Sequence, residues 1–251
     1  MSLLQALAIL AAGGAAGAIN VVVGSGTLIT FPVLLAFGYA PVVANVSNTI
    51  GLVPGSVAGA VGYRRELTGQ GARIRTLACA TAAGAATGAT LLLTLPASAF
   101  KAIVPVFIAA ALILIIVQPR LGALLRSHRG QSHGRPGAAT LAAVYVTGVY
   151  GGYFGAAQGI LLLAILSLAF DDALQRLNGT KNILAGLANL LSGAIFAIVA
   201  HVSWPAVGLI ALGSISGGTL GARYGRRLPP IALRVLIVII GVVSAVRLIF
   251  F

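Results

Sequence analysis

The sequence has very little charge, and almost none of it is negative. Of 251 residues only 8% are Asp, Glu, Lys or Arg, while 59% are hydrophobic. A soluble domain carries about 25% charged residues, so a water-facing surface cannot be covered here. Soluble enzymes and DNA-binding domains are thereby excluded. Acids number three, Glu66, Asp171 and Asp172, against sixteen Lys and Arg, for a net charge of +13. The single cysteine, Cys79, excludes an intramolecular disulfide and any CxxC metal site. No Lys or Arg precedes Arg64, so no secretory signal is expected. The motifs HExxH, Walker A and GxSxG are all absent. The adjacent Asp171 and Asp172 cannot act as two separate helix-borne catalytic acids. No enzymatic activity, cofactor or metal is expected, and His128 and His133 match no strong metal-binding spacing.

What the chain does have is a series of apolar runs of about the length that crosses a bilayer as a helix. They lie near 3–37, 46–63, 76–95, 101–118, 138–170, 180–200, 204–222 and 231–251. The fold class is an all-α polytopic membrane protein. Residues 119–137, which include Arg120, Arg126, Arg129 and Arg135, hold no apolar run. They read as a basic, solvated linker between a first membrane repeat, 1–118, and a second, 138–251.

The two halves repeat one another. An offset of 133 residues sets Gly26 on Gly159, Phe37 on Phe170, Asn45 on Asn178 and Ile50 on Ile183. The string from Asn45 to Ile50 then answers the string from Asn178 to Ile183. In membrane proteins such a repeat points to a transporter or channel. The opening segment of each half is too long for one ordinary span and too short for two. Each is broken near its middle, at Gly24–Thr27 and at Gly155–Gly159. Each is either a long tilted helix or a hairpin that enters and leaves on one side.

Charge separates the two. Cytoplasmic loops carry the excess of Lys and Arg. With the Arg64–Arg75 loop inside, a hairpin at 138–170 also places the basic turn Arg223–Arg227 inside; a single crossing puts it outside. The hairpin is therefore favoured, each half becomes a hairpin plus three transmembrane helices, and the halves are inverted. Most of the positive charge is then topological, and nucleic acid is not needed as a partner. A lipid bilayer is, and a homo-oligomer is compatible with the sequence.

Polar residues at membrane depth are costly and point to function. Asn45, Asn48 and Thr49 share one helical face, as do Asn178, Lys181 and Asn182, and both faces are expected at helix starts. Helix N-termini are ready anion sites. The glycine-broken tips would add backbone N–H groups around Ser25, Gly26, Thr27, Gln158 and Gly159. With Thr180, these residues form the predicted substrate site, and Lys181 is its one formal charge. Ordinary N-capping and interhelical hydrogen bonding are the competing readings, and Lys181 could instead snorkel to the interface. The pairs Gly55/Gly59, Gly84/Gly88 and Gly213/Gly217 read as close helix packing.

The chain resembles the sulfite exporter TauE/SafE family of membrane permeases. The resemblance rests on Gly24–Pro32, Ala44–Thr49, Gly151–Gly155 with Gln158 and Gly159, and Asn178–Lys181. It implies a permease of the cytoplasmic membrane for sulfite, sulfonates or related sulfur-containing anions. Alternating access with outward movement is the expected mechanism. A non-transporting membrane scaffold and an anion channel are the alternatives.

Overall fold

The computed structural model describes residues 1–127 and 136–225, with side chains described up to 117 and again from 136. Among them every regular element is helical. The first apolar segment is not one helix. It forms α1 (Leu3–Val22) and α2 (Thr27–Ala36), with Gly24 between them at φ +87°, a backbone conformation that favours glycine. The Tyr39 hydroxyl, just past α2, lies 4.0 Å from Met1 Sδ, so the chain returns to the end it started from. The second segment breaks likewise into α6 (Ala138–Tyr153) and α7 (Gln158–Ala169). Its turn uses Gly155 at φ +74° and Ala157 at φ +59°. Leu141 near the start of α6 and Leu166 and Phe170 near the end of α7 pack in one cluster with Leu77. Both segments are therefore hairpins.

The remaining helices are α3 (Pro41–Gly62), α4 (Gly71–Thr94), α5 (Ala97–Ser127), α8 (Leu174–Val199) and α9 (Trp204–Tyr224). Five of the nine described helices, α1, α4, α5, α8 and α9, are long and apolar enough to cross a membrane. Side chains such as Leu3, Ile198, Leu212 and Val106 are well exposed on their outer faces, as lipid contact requires. Helix α5 continues through Pro119 to Ser127, into the stretch expected to be a linker. Residues 128–135, with His128 and His133, and the last apolar run, 231–251, lie outside the described residues.

Glycine sets the closest contacts. A Cβ on Gly84 or Gly88 would lie 2.2 or 2.0 Å from the carbonyl oxygens of Tyr145 or Val149, and one on Gly217 would lie 1.8 Å from that of Gly14. Without a lipid-phase hydrophobic drive, this backbone proximity is what lets membrane helices gain packing energy. The contacts also show an internal correspondence. Helix α1 packs along α9 as α6 packs along α4, and α3 crosses α8. The Ser203 N–H donates to Ser47 Oγ at 2.9 Å, and the residues at the same offset, Gln70 and Thr180, are also bonded, with Thr180 Oγ1 donating to Gln70 Oε1 at 2.9 Å.

The two hairpins open at opposite ends of α3. The first opens beside Tyr39, just before α3. The second opens beyond α3's other end, where Arg73 of α4 bonds Asp172, just past α7, at 2.8 Å and lies over the Phe170 ring. Arg64, Arg65, Arg73, Arg75, Arg176 and Arg223 sit at that second end, in loops or end turns.

Candidate functional site

The two hairpin tips touch. The Gly159 N–H donates to the Gly24 carbonyl at 3.0 Å. A Cβ on Gly159 would come within 2.5 Å of Gly24 Cα, so neither position has room for a side chain. Ser25, Thr27, Asn45, Asn48, Thr49, Gln158, Asn178, Lys181 and Asn182 are all buried. Hydrogen bonds tie Thr27, Asn45, Asn48, Asn178 and Lys181 to the broken ends of the hairpin helices.

The structure corrects how they get there. Helix α3 begins at Pro41 and α8 at Leu174, so the Asn45 and Asn178 faces lie inside their helices, not at the starts. At 1.5 Å per residue, Asn48 and Lys181 stand about 10 Å along α3 and α8. The helix starts that reach the junction are those of α2, capped at Gly26, and α7, capped at Ala157. Most of their first N–H groups, which a helix cannot satisfy itself, are taken by the turns: Leu28 N–H donates to the Ser25 carbonyl and Gln158 N–H to that of Gly155, both at 3.2 Å.

Each hairpin's first helix ends against a core helix of the other half. At the end of α1, Lys181 Nζ donates to the carbonyls of Asn20 at 3.2 Å and Val21 at 3.0 Å. Asn178 Nδ2 donates to Val21 at 3.4 Å and to the Tyr63 hydroxyl at 2.9 Å. At the end of α6, Asn45 Nδ2 donates to the Tyr153 carbonyl at 2.9 Å. Asn48 instead serves its own half: Nδ2 donates to Thr27 Oγ1 at 3.2 Å, and Oδ1 accepts from Thr30. Thr49 bonds back to the Asn45 carbonyl.

Thr180 does not face the tips. Its hydroxyl joins Gln70 in a cluster on the arginine-rich end. There Asp172 also pairs with Arg176 at 2.9 Å and accepts the Ala173 N–H. Partial burial pushes the Asp172 carboxyl up, but the Arg73, Ala173 and Arg176 bonds outweigh it and hold it below the usual Asp value.

Several buried polar atoms of the predicted site residues and of Tyr153 have no hydrogen-bond partner. Four can donate: Ser25 Oγ, Tyr153 OH, Gln158 Nε2 and Asn182 Nδ2. Two accept: Asn45 Oδ1 and Asn178 Oδ1. Asn20 and Tyr63 were missed in the sequence. A lone Asn within the apolar run of α1 is the available signal for Asn20; Tyr63 carries no comparable signal.

The chain aligns over nearly all its length with known proteins. A "Probable membrane transporter protein ORF9" of Sinorhizobium sp is 29% identical over 93% of this chain and 88% of its own. The "Probable membrane transporter protein YfcA" of Escherichia coli K12 is 27% identical over 94% and 86%. A "Probable membrane transporter protein" of Haemophilus influenzae is 26% identical over 95% and 92%. No solved structure gives a significant match. The model of the family described as "Sulfite exporter TauE/SafE" covers residues 9–248, hairpins and core helices alike, and it is to that family of membrane proteins that this chain belongs.

Proposed function

We propose that the chain is a permease of the cytoplasmic membrane that moves small anions outward, with sulfite, sulfonates and related sulfur-containing anions as the substrate class. The observation that carries this is the group of buried donors without a hydrogen-bond partner, Ser25 Oγ, Gln158 Nε2 and Asn182 Nδ2, in a helical body whose three carboxylates all lie in loops. Buried donors left without an acceptor favour a ligand that accepts hydrogen bonds, as an anion does. The sulfur-anion class follows the family's description.

In this reading residues 1–118 and 138–251 are inverted repeats joined by a cytoplasmic linker, and the anion binds between the hairpin tips. Ser25, Gly26, Thr27, Gln158, Gly159 and Asn182 contact it; Asn45, Asn48, Thr49, Asn178 and Lys181 line or support the same site. The arginine-rich end faces the cytoplasm. Alternating access then amounts to rocking of the halves about touching tips.

The test is uptake of sulfite, taurine-like sulfonates and small carboxylates into vesicles containing the purified protein. Saturable flux of a sulfur-containing anion, competed by its analogues, is expected. Neither binding nor flux of any of these anions would leave a scaffold instead, and unsaturable flux would make it a channel.

A further inference from the structure

Helix α1 ends inside the protein, at Val22. The last carbonyls of a helix have no partner within it and carry the negative end of its dipole. Here the Ile19 carbonyl is taken by the Val23 and Gly24 N–H groups at 2.7 and 3.1 Å. The next two carbonyls, Asn20 and Val21, are taken by Lys181 Nζ. In transporters built on broken helices, carbonyl ends of this kind coordinate an exchangeable Na⁺ or proton.

We propose that Lys181 is a tethered cation: its side-chain nitrogen permanently fills the carbonyl end of α1 where a coupling cation would otherwise bind, so that anion movement requires no coupling cation. The proposal rests on the permease reading for its transport half and on geometry alone for the rest.

Three features support it. Lys181 is 0% exposed, and the polar atoms that its Nζ meets are these two carbonyls. No carboxylate lies in any helix to pair with it. The end of α6, related by the internal repeat, is closed by the neutral amide of Asn45, while Asn48, which occupies the place of Lys181, bonds Thr27 and Thr30. The cation is thus built into one tip only. It also comes from the opposite half, so α8 holds the end of α1. Lys181 is then a positioning residue: it keeps the negative end of α1 from facing the anion, and the anion is left to donors without a partner such as Ser25 Oγ and Gln158 Nε2.

Hydrogen exchange and flux test this together, on purified protein in lipid, with sodium gluconate or choline gluconate as the salt. In wild type, exchange of the 19–26 segment and sulfite flux at fixed potential should be the same in both salts. In Lys181→Ala, exchange of that segment in choline should be about ten- to hundredfold faster, the loss of a charge-assisted hydrogen bond. Sodium or added ethylammonium should slow it again. Lys181→Arg should stay near wild type. The proposal is overturned by unchanged exchange in the Ala variant, by faster exchange that neither cation slows, or by wild-type flux that requires sodium. If the Ala variant does not insert, Lys181→Gln, which retains one neutral donor, is read by the same criteria. Absence of any wild-type anion flux counts against the permease reading, and the exchange data still decide the role of Lys181.

Discussion

Replacing Gly159 with alanine probes the contact between the tips directly. Gly159 is the second residue of α7 and is not among the residues at positive φ, so its backbone conformation does not disfavour alanine. Any loss must therefore come from the contact. The new Cβ would lie 2.5 Å from Gly24 Cα and 3.1 Å from the Gly24 carbonyl oxygen. Carbon atoms pack at roughly 3.5–4.0 Å, so the tips must separate by at least about 1 Å. That carries the Gly159 N–H···O bond, now 3.0 Å, beyond hydrogen-bonding range. Both partners are backbone, so neither can swing aside. Overpacking of this kind costs about 1–3 kcal/mol. The Gly159→Ala protein should unfold at lower temperature in detergent and lose at least about tenfold in anion flux, with insertion quantified separately. Gly208→Ala is the control, because nothing lies within 4 Å of its Cβ position. Wild-type melting and flux in Gly159→Ala would show that the tips are not packed as described.

Three further outcomes are expected. In a Cys79→Ala background, cysteines at Ala40 and Ala173, both exposed and beside opposite hairpins, should react with an impermeant thiol reagent from opposite sides of the membrane; labelling from one side would refute the inverted arrangement. Asp172 titrates below the ordinary Asp value in the folded protein, so its contribution to stability is full above the unfolded value of about 3.9 and is lost as pH falls through the folded one. Asp172→Asn should therefore be less stable than wild type near neutral pH, with the gap closing in acid; a constant gap in thermal unfolding temperature would dissociate Asp172 from the effect. Flux should follow an imposed membrane potential, at about 2.3 kcal/mol per charge per 100 mV, and not a pH gradient, since Glu66, Asp171 and Asp172 all lie in loops. Flux driven by pH alone would reverse that conclusion.

Membrane embedding, helical class and the breaks at Gly24 and Gly155 could be read from the residues in order, because apolar run length and the need for glycine at positive φ are local properties. The glycine pairs of α4 and α9 were likewise visible as packing surfaces. The true starts of α3 and α8 were not. Hydropathy begins where side chains become apolar, whereas those helices start earlier, at Pro41 and Leu174, with the Asn45 and Asn178 amide nitrogens donating to carbonyls of the opposite half. Thr180 shares a short motif with Lys181 yet points to Gln70, because neighbours on a helix are about 100° apart. Sequence likewise identified Lys181 as an isolated charge without an acid to pair with. Its partners are the carbonyls of Asn20 and Val21, some 160 residues away along the chain. Every residue has a carbonyl, so composition cannot single out the two that matter; only the break of α1 beside α8 leaves them unpaired within reach of the lysine.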